Sequence, residues 1–271
     1  MSDSNAPADG HSLHFRGPGS LDRALELVRF LRRECPWDRD QTAESLIPHL
    51  LEETHEVVDA IRDGDARQLQ GELGDLLLNL AFQIVVAEEE QTLDAASVYG
   101  HLEAKMIARH PHLFGNGERQ EWEATKAAER APGQSVLSGL PSGLDPLTKA
   151  HRIQERVAGV GFDWDDHRGA LDKVSEELDE VREAIEGDDA DAVVDEVGDL
   201  LFSAVNLARL AGVHPTTAMA RANQKFQRRF ENVERLATER SIDISTAGLE
   251  VLDGLWEESK RAEECDVFAP D

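Results

Sequence analysis

Ten acidic side chains fall into two sets that share one spacing. Glu52, Glu53, Glu56, Glu72 and Asp75 form the first, and Glu176, Glu177, Glu180, Glu196 and Asp199 the second, each member displaced by 124 residues without a gap. On a helix, Glu53 and Glu56 are three apart and Glu52 and Glu56 four apart, so the three lie along one side, expected opposite the apolar stripe. Glu72 and Asp75 share a face at the start of an otherwise apolar helix, where carboxylates must approach a bundle interior. Such crowding needs counterions, and an all-oxygen donor set suits magnesium, with manganese able to substitute. The chemistry open to that ion is binding of phosphate oxygens and orientation of an attacking water.

Other chemistries lack their signatures. A di-iron bundle requires a glutamate followed by a histidine three residues on in each of two helices, whereas Glu52 with His55 is the one such pair in these helices and the second copy has none. The ten histidines form no H-E-x-x-H motif, and neither a Gly-x-Gly-x-x-Gly fingerprint nor a Walker A loop occurs. With 28 Lys plus Arg against 55 Asp plus Glu, a formal charge of -27 excludes electrostatic wrapping around a nucleic acid polymer or an anionic membrane. Two cysteines are too few for a disulfide framework, which makes a cytoplasmic location the expectation.

The elements that must position the acids are helical. Leu21, Leu25, Val28 and Leu31 recur at helical spacing up to Pro36. A loop is expected at 35–40, then a helix whose face carries Leu50, Leu51, Thr54, Val57, Val58 and Ile61 before Gly64 ends it. The helix over 72–87 is apolar on nearly all sides, and its strongly apolar part, 76–87, is too short to span a bilayer. A further helix is expected from Leu93 to His110, stopped by Pro111. LEETHEVVDAI at 51–61 aligns with SEELDEVREAI at 175–185, and GELGDLLLNL at 71–80 with DEVGDLLFSA at 195–204. The chain therefore reads as all-α, two copies of one helical bundle module: a disordered tail at 1–19, a first module at 20–131, a Gly- and Pro-rich linker at 132–146 and a second module at 147–271.

Cations accompany each set. Lys225 and Arg229 are four apart, as are Trp256 and Lys260, and the pairs suit phosphate contact, although pairing with surrounding acids competes. For Trp256 ordinary core packing is the first role, with substrate contact beside it. In the first module Lys105, Arg109 and Lys126 form the cationic set, Trp122 precedes Lys126 by four, and Trp37 and Asp38 are candidates to line a pocket.

These segments, with CPWD at 35–38, RHPHLF at 109–114, VGFDW at 160–164, NQKFQRRF at 223–230 and LWEESK at 255–260, resemble the MazG nucleoside triphosphate pyrophosphohydrolases. The resemblance implies a two-module, all-α homodimer that cleaves a nucleoside triphosphate between the α and β phosphates, releasing monophosphate and diphosphate with magnesium. It implies that Glu176, Glu177, Glu180, Glu196 and Asp199 ligate the metal at the main catalytic centre, with Lys225, Arg229 and Lys260 on the phosphates. The first module stands as a second site, a weaker site or a dimer-forming copy. A narrow dUTP/dNTP pyrophosphatase and a non-catalytic nucleotide-binding regulatory module are the competing readings. Phe162 and Trp164 are candidates to stack on a base, against simple packing around VGFDW.

Overall fold

The computed structural model describes residues 21–114 and 133–267, and among them every regular element is a helix. The chain divides into two compact units, Met1–Arg119 and Gln120–Asp271. The tail at 1–19 lies outside the described residues, as does the start of the expected linker.

In the first unit α1 (Leu21–Glu34) is followed by α2 (Pro36–Asp40), α3 (Ile47–Asp63), α4 (Ala66–Glu89), α5 (Ala95–Arg109) and α6 (Pro111–Phe114). The 35–40 segment expected as a loop is a short helix, because Pro36 occupies its first turn, where a missing N–H costs nothing. Pro111 likewise begins a new turn after α5 ends. The apolar run at 76–87 undercounts its helix: α4 reaches back through polar residues to Ala66 and, at 24 residues, is long and apolar enough by length and composition to cross a bilayer. One face of it is packed instead. Ala81, Phe82 and Val85 are buried with Leu25 and Val28 of α1 and with Leu46. Arg32, 8% exposed, ties α1 to α4 through Glu89 at 2.6 Å and holds α2 by donating to the carbonyl oxygens of Asp38 (2.7 Å) and Gln41 (3.0 Å).

The second unit contains α7 (Pro146–Ala158), α8 (His167–Glu186), α9 (Ala190–Leu210), α10 (Pro215–Glu239) and α11 (Leu249–Val267). Helix α9 packs along α8 and also against α7, and α10 pairs with α11 around Val233, Leu236 and Leu255. Residues 133–145 belong to this unit by contact: Arg156 of α7 donates to the carbonyl oxygens of Val136 and Ser138.

The two helical hairpins, α3–α4 and α8–α9, are built alike. An aspartate caps the second helix of each, Asp65 accepting from the N–H groups of Arg67 and Gln68, and Asp189 from those of Asp191 and Ala192. The residue before each cap is left-handed, Gly64 at φ 72° and Asp188 at φ 53°. This turn fixes the register in which the acids of one helix meet those of the next. Gly64→Ala should cost about 1 kcal/mol, since a side chain is disfavoured at that φ although nothing crowds it. Gly71→Ala, in the open interior of α4, should instead add about 0.5 kcal/mol. Denaturant unfolding of both variants measures the opposed signs.

Candidate metal and nucleotide site

Helical geometry decides which acids converge. Glu177 does not stand opposite the apolar stripe as expected; it is 3% exposed and in line with buried Ala170 and Val181, a spacing that turns all three toward the rest of the unit. Glu53 is placed in the same way relative to buried Val57 and Ala60. The stripe expected on α3 is covered only in part, because α3 packs on α4 alone among the described elements, and Leu51, Thr54 and Ile61 are exposed.

In the second unit one carboxylate oxygen from each of Glu177, Glu196 and Asp199 lies within 4.8 Å of the others. The adjacent Glu177 carboxyl, then desolvation and the negative charge of Glu196, hold the Glu180 carboxyl above the ordinary range. Glu176 is not brought in. One residue earlier on the helix it points elsewhere and pairs with Lys173 at 3.0 Å. In the first unit the corresponding group is Glu53, Glu56 and Glu72, again within 4.8 Å. Desolvation first, then Asp75 and the neighbouring glutamates, raises the Glu53 carboxyl. Glu52, like Glu176, turns away, with His49 3.8 Å from it. Both clusters can hold a divalent cation, for the donors are hard oxygens. In the second unit a further sign is Oε2 of Glu177, which is buried without a hydrogen-bond partner.

Residues that the spacing argument missed complete the second site. Lys173, one turn before Glu177, contacts it at 2.6 Å and has its own pKa raised by Glu177 and then Glu176. The i, i+4 spacing could have revealed it. Glu177, Asp199 and Lys173 border a cavity of about 670 Å³ whose walls include Gln154, Phe162, Trp164, Phe202, Asn206 and Arg209. No periodicity marks Gln154 or Asn206, since each is one polar residue on a helix face that packs inward. Trp164 lies over α8 so closely that a Cβ on Gly169 would stand 2.3 Å from its indole.

The remaining candidates sit elsewhere. Arg229 pairs with Glu263 at 2.7 Å and lies 5.9 Å above the Trp256 ring, Lys260 pairs with Glu257, and Lys225 is exposed. Trp256 packs on the α10–α11 core and against Phe226, and none of these four is among the cavity's lining residues. In the first unit Trp37 is exposed with its ring steeply inclined to that of His49, Asp38 is buried, and Lys105 and Arg109 are half-buried on α5. Lys126 and Trp122 lie outside the described residues.

The 124-residue offset exposes a contrast between the units. The positions of Asn206 and Arg209 on α9 correspond to Phe82 and Val85 on α4, both part of the first unit's apolar core, and Lys173 corresponds to His49.

These features define an all-α protein with a cluster of carboxylates that could hold a cation, on a helical hairpin beside a largely apolar cavity. The MazG nucleotide pyrophosphohydrolase domain matches twice, at residues 41–114 and 166–234. Over 259 residues the chain is 40% identical to the nucleoside triphosphate pyrophosphohydrolase of Escherichia coli (strain K12), covering 90% of this chain and 98% of that protein. It is also 40% identical over 234 residues to the nucleoside triphosphate pyrophosphohydrolase/pyrophosphatase MazG of Thermotoga maritima, covering 85% and 91%. The chain belongs to the MazG family.

The Glu180 shift has a defined sign. A carboxyl whose folded pKa is raised favours folding below its unfolded pKa and loses that contribution as pH rises through the folded value. In EDTA, wild type should lose thermal stability relative to Glu180→Gln as pH rises from about 4 to about 8. Added magnesium should reverse the difference. A parallel pair of curves would show that Glu180 senses no neighbouring charge.

Proposed function

We propose that this chain is a cytoplasmic, magnesium-dependent nucleoside triphosphate pyrophosphohydrolase, acting as a homodimer, and that its second unit is the catalytic one. The observation that carries this reading is the convergence of Glu177, Glu196 and Asp199 at the edge of the cavity, with a buried, unpartnered oxygen on Glu177. The first unit has the acids but places Phe82 and Val85 where the second has Asn206 and Arg209. Its role in this reading is structural.

Glu177, Glu180, Glu196 and Asp199 would hold the magnesium. When bound, the ion offsets phosphate charge and makes an attacking water more acidic. Lys173 supplies a cation at the same place, aimed by its pairing with Glu177, and neutralises phosphate charge as the polyphosphate displaces that contact. The proton of the attacking water passes to a carboxylate of the cluster, and hydrolysis at the α phosphorus yields monophosphate and diphosphate. Arg229 and Lys260 reach a phosphate only by exchanging carboxylate partners or through a second copy, and the exposed Lys225 lies outside the cavity lining. Self-association is supported by apolar side chains left exposed along the hairpin, among them Leu178 and Ile185 on α8 and Val194 and Leu201 on α9.

A nucleotide panel resolving nucleoside monophosphate, nucleoside diphosphate, inorganic diphosphate (pyrophosphate) and orthophosphate tests the reaction. Equal monophosphate and pyrophosphate is the expected result, abolished by EDTA and restored by magnesium or manganese. Orthophosphate as first product would mean a phosphatase, and no turnover a binding module. Glu177→Gln and Asp199→Asn should each lower kcat by roughly 100-fold or more with the fold retained. Glu53→Gln and Asp75→Asn should change it by less than about three-fold, and a large loss there would move catalysis to the first unit.

A further inference from the structure

The cavity beside the acids contains two side-chain amides whose orientations are fixed by the protein. Gln154 of α7 is 4% exposed, and its Nε2 donates to the carbonyl oxygen of Phe202 at 2.8 Å. Flipping that amide would set two carbonyl oxygens against each other, so Oε1 has to be the remaining atom. It is buried and has no hydrogen-bond partner. Asn206 is 7% exposed, and its Oδ1 accepts from Nε and Nη2 of Arg209 at 2.9 and 2.7 Å. Only its Nδ2 donor is left to face a ligand. Arg209 is held in turn by Asp163 at 2.5 and 2.9 Å, and Asp163 lies between Phe162 and Trp164, which line the same cavity.

Phe202 and Asn206 are one turn apart on α9, so the amide anchored at the first lies beside the amide carried by the second. The result is one fixed acceptor next to one fixed donor on the wall of a cavity whose apolar side chains include Ile153, Val157, Phe162, Trp164 and Phe202, with the acids and Lys173 along its border. An orphaned acceptor in apolar surroundings is costly unless something donates to it. The matching ligand is planar and apolar on its faces, with a donor beside an acceptor on one edge. Every common nucleobase has such an edge: N6–H with N1 in adenine, N1–H with O6 in guanine, N4–H with N3 in cytosine and N3–H with O4 in uracil.

We propose that this cavity seats the nucleobase, with Gln154 Oε1 accepting from the base N–H and Asn206 Nδ2 donating to the neighbouring acceptor. The inference deepens the nucleoside triphosphate reading and rests on it. Because the pair matches an element common to all four bases, it demands a base edge without choosing strongly among them. Gln154 and Asn206 bind the base, whereas Arg209 and Asp163 are positioning residues that fix the Asn206 amide and the aromatic loop together.

The test compares UTP, N3-methyl-UTP and ribose 5-triphosphate as substrates for wild type and for Gln154→Leu. Wild type should favour UTP over N3-methyl-UTP by on the order of ten-fold in kcat/KM, mainly through KM. Gln154→Leu should lose a similar factor on UTP, no longer separate the two, and hydrolyse ribose 5-triphosphate as wild type does. Equal use of UTP and N3-methyl-UTP by wild type overturns the proposal without any variant. So does discrimination that survives in Gln154→Leu, or a loss that extends equally to ribose 5-triphosphate. Should wild type release no pyrophosphate from any nucleotide, the hydrolase reading fails. Calorimetric binding of uridine against 3-methyluridine then decides the base seat separately, and equal affinities would reject it.

Discussion

Mutual repulsion of carboxylates is the constraint around which the second unit is arranged. Two unit charges 4 Å apart repel by about 4 kcal/mol at an effective dielectric of 20, and Glu177, Glu196 and Asp199 bring oxygens within 4.8 Å. A helical hairpin resists this because its helices are fixed over their whole length by packing and at the turn by the Asp189 cap. The protein supplies only partial relief through Lys173, which sits against Glu177 and is shared with Glu176. A raised Glu180 carboxyl shows that relief is incomplete. The remaining negative charge is affinity in waiting for a cation.

Much of this was legible in the sequence because duplication filters chance. One E-E-x-x-E describes many solvated helix faces, whereas two copies at one offset, each followed by E-x-x-D on a helix with an apolar core face, leave few alternatives. What failed was the assignment of faces. The apolar residues of α3 include Leu51 and Ile61, which nothing in the chain's described residues covers, so the stripe drawn through them is rotated from the one that packs. Relative to the true stripe of Val57 and Ala60, Glu53 points inward and Glu52 outward. A sequence shows which residues are apolar; it does not show which apolar residues meet which neighbour. The same limit hid Gln154 and Asn206, whose meaning depends on contact between α7 and α9.

The phosphate contacts show a different limit. Spacing put Lys225 with Arg229 and Trp256 with Lys260 on common faces, and the structure keeps them near one another on α10 and α11. Arg229 and Lys260 nevertheless meet Glu263 and Glu257 there. In a chain of net charge -27 a cation finds an acid close by, so helical adjacency alone carries little information about its ligand. Lys173 is informative for the opposite reason. Its partners are the acids of the cluster itself, and a ligand entering that cluster must deal with it.

The two units show how little sequence separates a core from a site. Phe82 and Val85 close the first hairpin's packing with apolar volume, and each stands in contact with the α1 layer. At the corresponding places Asn206 and Arg209 leave a cavity and introduce polar atoms that must be satisfied. Arg209 answers this in two directions, donating to Asn206 and pairing with Asp163 on the aromatic loop. A half-buried arginine so placed loses its pairing when either acceptor is removed, which makes loop, cavity wall and donor orientation parts of a single arrangement. Selection on that arrangement differs from selection on the first unit's core. There a volume-conserving apolar exchange preserves the packing, whereas here even the isosteric Gln154→Glu would replace the donor to the Phe202 carbonyl with an oxygen.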